Sequence, residues 1–184
     1  TCMALLQDDD WVAQLKENGE RRPLFIKDGD VTGANRSGLT VHIPAIWRSD
    51  FAQYTNATFD GEHVGDAYAV FDLLSLNNED LTGLPFGARY LRLVNLLESH
   101  PTLPPSLRLV EAHATTSTKE RLLQHVRAKN LEGLVFKRAM ANYESGRSND
   151  ALKFKLKDSA TCIVVRHNVQ RSVVLGLRNA SGVV

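Results

Sequence analysis

Four clusters of charged residues fall where the chain turns or ends a strand: Lys16 with Arg21, Glu62, Glu132, and Lys153 with Lys155. Lys16 has the chemistry of a nucleophile. It follows Trp11-Val12-Ala13-Gln14-Leu15, which alternates apolar and polar like a half-buried strand, and it precedes Asn18-Gly19, a turn signal. The strand behind such a lysine fixes it while its amine reaches a pocket, as a covalent lysine nucleophile requires. Taken alone, K-x-x-G reads as a charged hairpin tip with Lys16 in water. Lys153-Phe154-Lys155 also alternates, so its two ammonium groups share one strand face and Phe154 and Leu152 take the other. Taken alone, that pair suits the solvent face of an edge strand, where lysines discourage aggregation.

The elements that must position these groups are legible from periodicity and turn chemistry. Residues 24–27 and 30–34 read as strands joined through Asp28-Gly29, with a turn at residues 35–38 and a returning strand at 40–43. Pro44 opens a helix carrying Ile46, Trp47, Phe51 and Tyr54. Two strands follow, one ending at Asp60-Gly61-Glu62 and one over residues 68–74. Residues 85–100 form the clearest helix, with Phe86, Tyr90, Leu93 and Leu97 in a stripe that must cover a sheet. Prolines 101, 104 and 105 end it, and residues 107–111 read as a strand. Ser117-Thr118-Lys119-Glu120 has a capping-box pattern, so a helix is expected from 118 to 129 with Leu122, Leu123 and Val126 inward and His125 beside that stripe. Strands are expected at 134–137, 151–157, 161–166 and 172–177. The first six residues read as an apolar lead-in. Asp8-Asp9-Asp10 reads as a solvated turn, because consecutive side chains do not converge on a metal without special loop geometry.

The sequence of 184 residues has room for one well-buried domain and a fragment of a second. A net charge of +1 provides no global field for a polyanion, so nucleic-acid binding would need a local patch. Cys2 and Cys162 have no metal-ligand or disulfide-framework spacing, which suits a reducing compartment. No apolar run approaches a membrane span, and no P-loop pattern is present.

Taken in order, K-E-N-G-E-R at 16–21, D-G-E at 60–62, V-F-D-L-L at 70–74, E-G-L-V-F-K at 132–137 and K-F-K at 153–155 resemble the covalent nucleotidyltransferase superfamily. They are most similar to ATP-dependent polynucleotide ligases, and Asn35-Arg36-Ser37-Gly38 resembles the short arginine motif of DNA ligases. The resemblance implies an α+β, ATP-grasp-like adenylation domain over residues 1–157, made of two antiparallel sheets with flanking helices. It also implies that residues 158–184 begin an OB-fold barrel. Implied roles are Lys16 as the adenylated nucleophile, with Gln14 at the adenine edge and Leu15 beside it. Phe71 and Val135 would sandwich the base, and Glu62 would lie at the ribose and contribute to metal binding. Glu132 would help hold Mg2+ or Mn2+, Lys153 and Lys155 would contact the α-phosphate, and Arg36 would grip the 5′-phosphate of a nick. Arg21, Lys153 and Lys155 would press on Lys16 by like charge. The implied substrates are ATP, leaving AMP on the lysine, and nicked duplex DNA, with RNA or an RNA/DNA hybrid as alternatives. The implied state is a monomer, free of membrane, in the cytoplasm with the nucleoid or in a host cytoplasm if viral.

Two features depart from the family pattern. Asn18 stands where the family has aspartate, which keeps the turn and the hydrogen-bonding shape and loses the charge. The family's last basic motif, which orients the ATP pyrophosphate, lies beyond Val184. Two other readings share the residues. An mRNA-capping guanylyltransferase would have aspartate at Glu132 and tryptophan at Phe154, and a nucleotide- or nick-binding module without turnover would fit Asn18.

Overall fold

A computed structural model describes residues 2–54, 56–156, 162–169, 172–179 and 182–183. In chain order the elements are α1 (Cys2–Gln7), β1 (Trp11–Leu15), β2 (Glu20–Arg21), β3 (Leu24–Lys27), β4 (Asp30–Ala34), β5 (Thr40–Val41) and α2 (Ala45–Phe51). There follow β6 (Ala57–Val64), β7 (Ala67–Leu76), β8 (Glu79–Asp80), α3 (Phe86–Glu98), β9 (Leu107–Leu109), β10 (Ala112–His113) and α4 (Thr116–Ala128). The last strands are β11 (Gly133–Arg138), β12 (Ala151–Lys155), β13 (Cys162–His167), β14 (Val173–Asn179) and β15 (Gly182–Val183).

Two sheets face each other across a cleft. The smaller has the order β10-β1-β11-β12, antiparallel throughout, with Gln14 opposite Val135 and Val135 opposite Lys153. Directly opposed residues share a face, so Val12, Gln14, Val135, Lys137, Lys153 and Lys155 lie on one side. Trp11, Ala13, Leu134 and Phe136 take the other side and pack with Leu6, Leu123 and Val126 of α1 and α4. The larger sheet runs β5-β4-β3-β6-β7-β8, with β2 added to β6 and β9 to β7. Its outer face packs Trp47 and Phe51 of α2 and Leu93 and Leu97 of α3 against Phe59, Tyr68, Val70 and Leu73. Trp47, Phe51 and Tyr68 meet edge to face at centroid distances of 5.3 to 5.9 Å.

Most expected elements are present, with physical reasons for the differences. The strand expected over 107–111 is a crossing between sheets. β9 pairs parallel with β7, the N–H of Val110 donates to the carbonyl of Val70, and β10 then joins β1. The larger sheet is therefore not purely antiparallel. α4 begins earlier than the capping box implies, because Thr115 Oγ1 accepts the N–H of Thr118 and serves as the cap. The apolar lead-in is a short helix, α1, whose C-terminal carbonyls are met by a buried cation. Lys119 Nζ donates to the carbonyls of Leu5, Asp8 and Trp11 at 3.2, 2.8 and 3.0 Å. β5 ends at Val41 rather than residue 43, since Ile43 turns into the core before Pro44. α3 stops at Glu98 and β12 at Lys155. The two-residue strands β2, β8 and β10 are too short to show any period. Beyond residue 156, β13, β14 and β15 form a three-stranded antiparallel sheet. The expected boundary at 157–158 lies outside the described residues.

Candidate active site

Between the sheets lies a cleft of about 1090 Å3, and Gln14, Leu15, Lys16, Arg21, Arg36, Glu62, Phe71, Val135 and Lys153 all line it. Glu132 and Lys155 are not in its wall, and they reach it through Lys16. Lys16 Nζ lies 2.8 Å from Glu132 Oε1, and Lys155 Nζ is 3.3 Å from the same oxygen. The backbone fixes this cluster, because the N–H of Lys16 donates to the carbonyl of Gly133 at 2.9 Å.

Two glycines allow the approach. A Cβ on Gly133, whose φ is +152°, would lie 2.0 Å from the Phe154 carbonyl oxygen, so only glycine lets β12 close on β11 beside Glu132. A Cβ on Gly19 would lie 2.1 Å from the His63 carbonyl oxygen and 3.0 Å from Glu62 Cγ. The glycine of K-E-N-G thus brings the turn after Lys16 against β6 and so toward Glu62.

The electrostatics follow from burial and charge. Burial pushes the Glu132 carboxyl up, but hydrogen bonds from Lys16 and Lys155 outweigh it and hold the group below the usual carboxylate range. Glu62 goes the other way: burial raises its carboxyl, with Lys16 opposing and Asp60 reinforcing. Burial, then the charges of Lys16, Arg36 and Arg21, lowers the Lys153 ammonium against the pull of Glu62. Arg21 is not the free like charge expected beside Lys16. Its Nε donates to Asp60 Oδ1 at 3.0 Å and its Nη2 to Tyr143 Oη at 2.9 Å, so buried Asp60 balances it.

The direction at Glu62 gives a test. A carboxyl whose folded value is raised binds its proton more readily folded than unfolded, so it erodes stability as pH rises through the interval between the two values. Glu62→Gln removes that burden. Its urea midpoint should match the wild type in acid below the ordinary carboxylate range and exceed it increasingly as pH climbs. A gap equal at every pH would refute the assignment.

The apolar end of the cleft holds Phe71 and Val135. Gln14 is 2% exposed, and its Nε2 donates to the carbonyls of Val110 at 3.1 Å and Phe71 at 3.4 Å. Two carbonyl partners fix the amide nitrogen and leave the side-chain oxygen, which has no partner among the described residues, as an acceptor that suits a base with an exocyclic amino group. The sequence reading missed the polar floor of the cleft. Arg89 forms a double hydrogen bond to Asp72, with both distances 2.9 Å. Lys137 Nζ lies 3.8 Å from Asp72 Oδ2 and 4.5 and 4.4 Å from the ring centroids of Phe71 and Phe86. Lys137 was available from the pattern, two residues after Val135 on the same strand face. Arg89 was masked by its place within the apolar helix stripe.

A family described as ATP dependent DNA ligase domain matches residues 47–155. The multifunctional non-homologous end joining protein LigD of Pseudomonas aeruginosa is 29% identical over 183 residues, a match covering 85% of this chain and 21% of that protein. DNA ligase C of Mycobacterium tuberculosis is 27% identical over 126 residues, covering 63% of this chain and 34% of that one. The chain thus spans about a fifth to a third of these curated relatives. Among solved structures, mycobacterial DNA ligase D complexed with ATP and MES superposes with a TM-score of 0.74 at 20% identity, over 96% of this chain and 65% of that one. That likeness supports the α+β fold.

Proposed function

The chain belongs to the family of ATP-dependent DNA ligase domains, and from that premise we propose that it adenylates Lys16 and seals nicks in duplex DNA. The observation that carries the reading is the placement of Lys16. Its amine ends a buried strand, 2.8 Å from Glu132, in a cleft also lined by Lys153, Glu62, Phe71 and Val135.

In the first step the neutral Lys16 amine attacks the α-phosphorus of ATP. An N–P bond forms, the bond to the bridging oxygen breaks, and pyrophosphate leaves. Glu132 Oε1 is the nearest acceptor for the amine's proton. Lys153 offers positive charge to the phosphoryl oxygens as the transition state develops, and Phe71 and Val135 hold the base. Glu62 lies near the ribose. AMP then passes to the 5′-phosphate of the nick, where Arg36 provides a guanidinium, and the 3′-hydroxyl displaces AMP to join the strands.

A divalent cation fits this donor set. Magnesium is commonly held by one or two carboxylates together with substrate phosphates and waters. Glu132, kept ionised by two lysines, and Glu62 provide those carboxylates. A cation held there would neutralise charge on the phosphates. Residues 158–184 are proposed to open an OB-fold, and the protein is proposed to act in a bacterial cytoplasm. No helix among the described residues is long and apolar enough to cross a membrane.

The test is sealing of a singly nicked duplex in the presence of ATP and magnesium, read as joined strand on a denaturing gel, with matched DNA and RNA substrates. Joined DNA is the expected product. No joined strand from a chain that carries labelled AMP would instead favour a nick-binding module, the reading that Asn18 supports. Asn18 is exposed at the turn after Lys16. Asn18→Asp should leave lysine labelling unchanged and raise the rate of sealing from a pre-adenylated nick several-fold. An unchanged sealing rate would show that the asparagine is not limiting.

A further inference from the structure

A second concavity, of about 590 Å3, lies beside the nucleotide cleft and shares Leu15 and Glu17 with it. Its walls are the β9–β10 crossing, with Arg108 and His113, and the face of α4 bearing Arg121 and His125. Arg108 is already balanced, because its two terminal nitrogens each donate to a Glu17 carboxylate oxygen at 2.6 Å. Arg121 and His125 have no hydrogen-bond or ion-pair partner among the described residues. Four residues on, Lys129 continues the same exposed side of α4, also without a partner. Glu111 is the remaining carboxylate in the wall, 82% exposed and 3.8 Å from His113.

The placement of these basic groups needs an explanation beyond the helix itself. Lys129 suits the C-terminal end of α4, where a cation complements the dipole. Arg121, in the second turn, gains nothing from that field, and no acid is spaced to pair with it. Four apolar residues, Leu15, Leu109, Val110 and Leu122, also line the concavity. A curved wall bearing the unpaired Arg121 guanidinium and His125 imidazole, with the Lys129 ammonium beyond its edge on the same side of the helix, is suited to a chain of phosphodiesters.

We propose that the Arg121–His125–Lys129 side of α4, with the concavity beside it, is a backbone-phosphate track for the duplex flanking the nick. The track rests on the ligase reading. It continues the basic side chains of the cleft past the end of β1, so a strand seated at Lys16 meets α4 as it leaves. Contacts of this kind position the duplex without reading its sequence.

The experiment uses the full chain and a fluorescently labelled duplex with a single 5′-phosphorylated nick, titrated at several salt concentrations. In the variant Arg121→Gln, His125→Gln, Lys129→Gln, affinity should fall about 10-fold at physiological salt. The slope of log affinity against log salt should shrink by about 2, since the two fixed charges, Arg121 and Lys129, contribute about 0.9 each where they meet a phosphate. Lysine labelling by ATP, which involves no DNA, should keep its rate and its KM. Lys27→Gln, on the β3–β4 hairpin, should leave the slope unchanged. An unaltered slope in the triple variant, or an equal loss per charge in Lys27→Gln, overturns the track. A raised KM for ATP also overturns it and assigns the concavity to the polyphosphate tail. Absence of labelling in the wild type sinks the ligase reading instead, and the duplex titration still judges the track.

Discussion

In Lys16→Ala, transfer of label from α-labelled ATP to the protein should fall to background, a loss of at least about 10^3-fold expected when a covalent nucleophile is removed. Lys16→Arg should fail equally, because a guanidinium stays protonated and has no lone pair to offer phosphorus. The fold should survive. Lys16 lies at the end of β1 on the cleft side, and Glu132 keeps Lys155 at 3.3 Å once Lys16 is gone. The wild-type label should show the signature of an N–P bond, surviving alkali and released by acid. The variants should still seal a nick that carries AMP on its 5′-phosphate, since that step begins after the lysine has done its work. Labelling of Lys16→Ala at the wild-type level would place the nucleophile elsewhere. Loss of both labelling and sealing would point to a collapsed cleft rather than a missing amine.

That prediction was reachable from the sequence because the decisive residues sit where short-range rules apply. Lys16 follows five residues with strand alternation, and Asp28-Gly29, with φ of 52° and 86°, makes the tight hairpin that a D-G pair implies. Parity placed Lys153 and Lys155 on one face of β12, and the register confirms it, with Lys153 opposite Val135 and Lys155 opposite Gly133. What stayed hidden depends on distant pairing. The change of sheet at Val110 is not a local property, since it arises from hydrogen bonds to Val70 and Gln14 in different sheets. The neutralisation of Arg21 needs Asp60, which is 39 positions away. A periodic reading treats each charge as a surface group, so it cannot tell which carboxylate will be buried beneath it. The floor of the cleft was missed for the same reason.

The strongest effect on stability should come from that floor. Asp72 and Arg89 are each 3% exposed in their side chains and share two hydrogen bonds of 2.9 Å. Removing one member of a buried pair leaves an uncompensated charge, which costs about 3–5 kcal/mol. For a chain of this size that is a fall of about 10 °C in Tm. Asp72→Ala should reach the upper part of the range, because it leaves two cations, Arg89 and Lys137, beside each other with only the weaker pull of Asp60 on Lys137. Arg89→Met should cost less, since Lys137 Nζ remains 3.8 Å from Asp72 Oδ2, although the hydrogen bond from Arg89 Nη1 to the carbonyl of Leu84 is lost as well. The double variant should cost clearly less than the sum of the two, as expected for residues in direct contact. Urea midpoints of the four proteins measure all of this. Costs below about 1 kcal/mol for both single variants, or strict additivity, would mean that water reaches the pair. The same pair couples stability to binding, because Lys137 lies under Phe71 and Arg89 lies 5.7 Å from the ring of Tyr143, which in turn holds Arg21. A weakened floor should therefore also raise the KM for ATP in Arg89→Met at temperatures where the variant is still folded, while Lys16 itself is untouched.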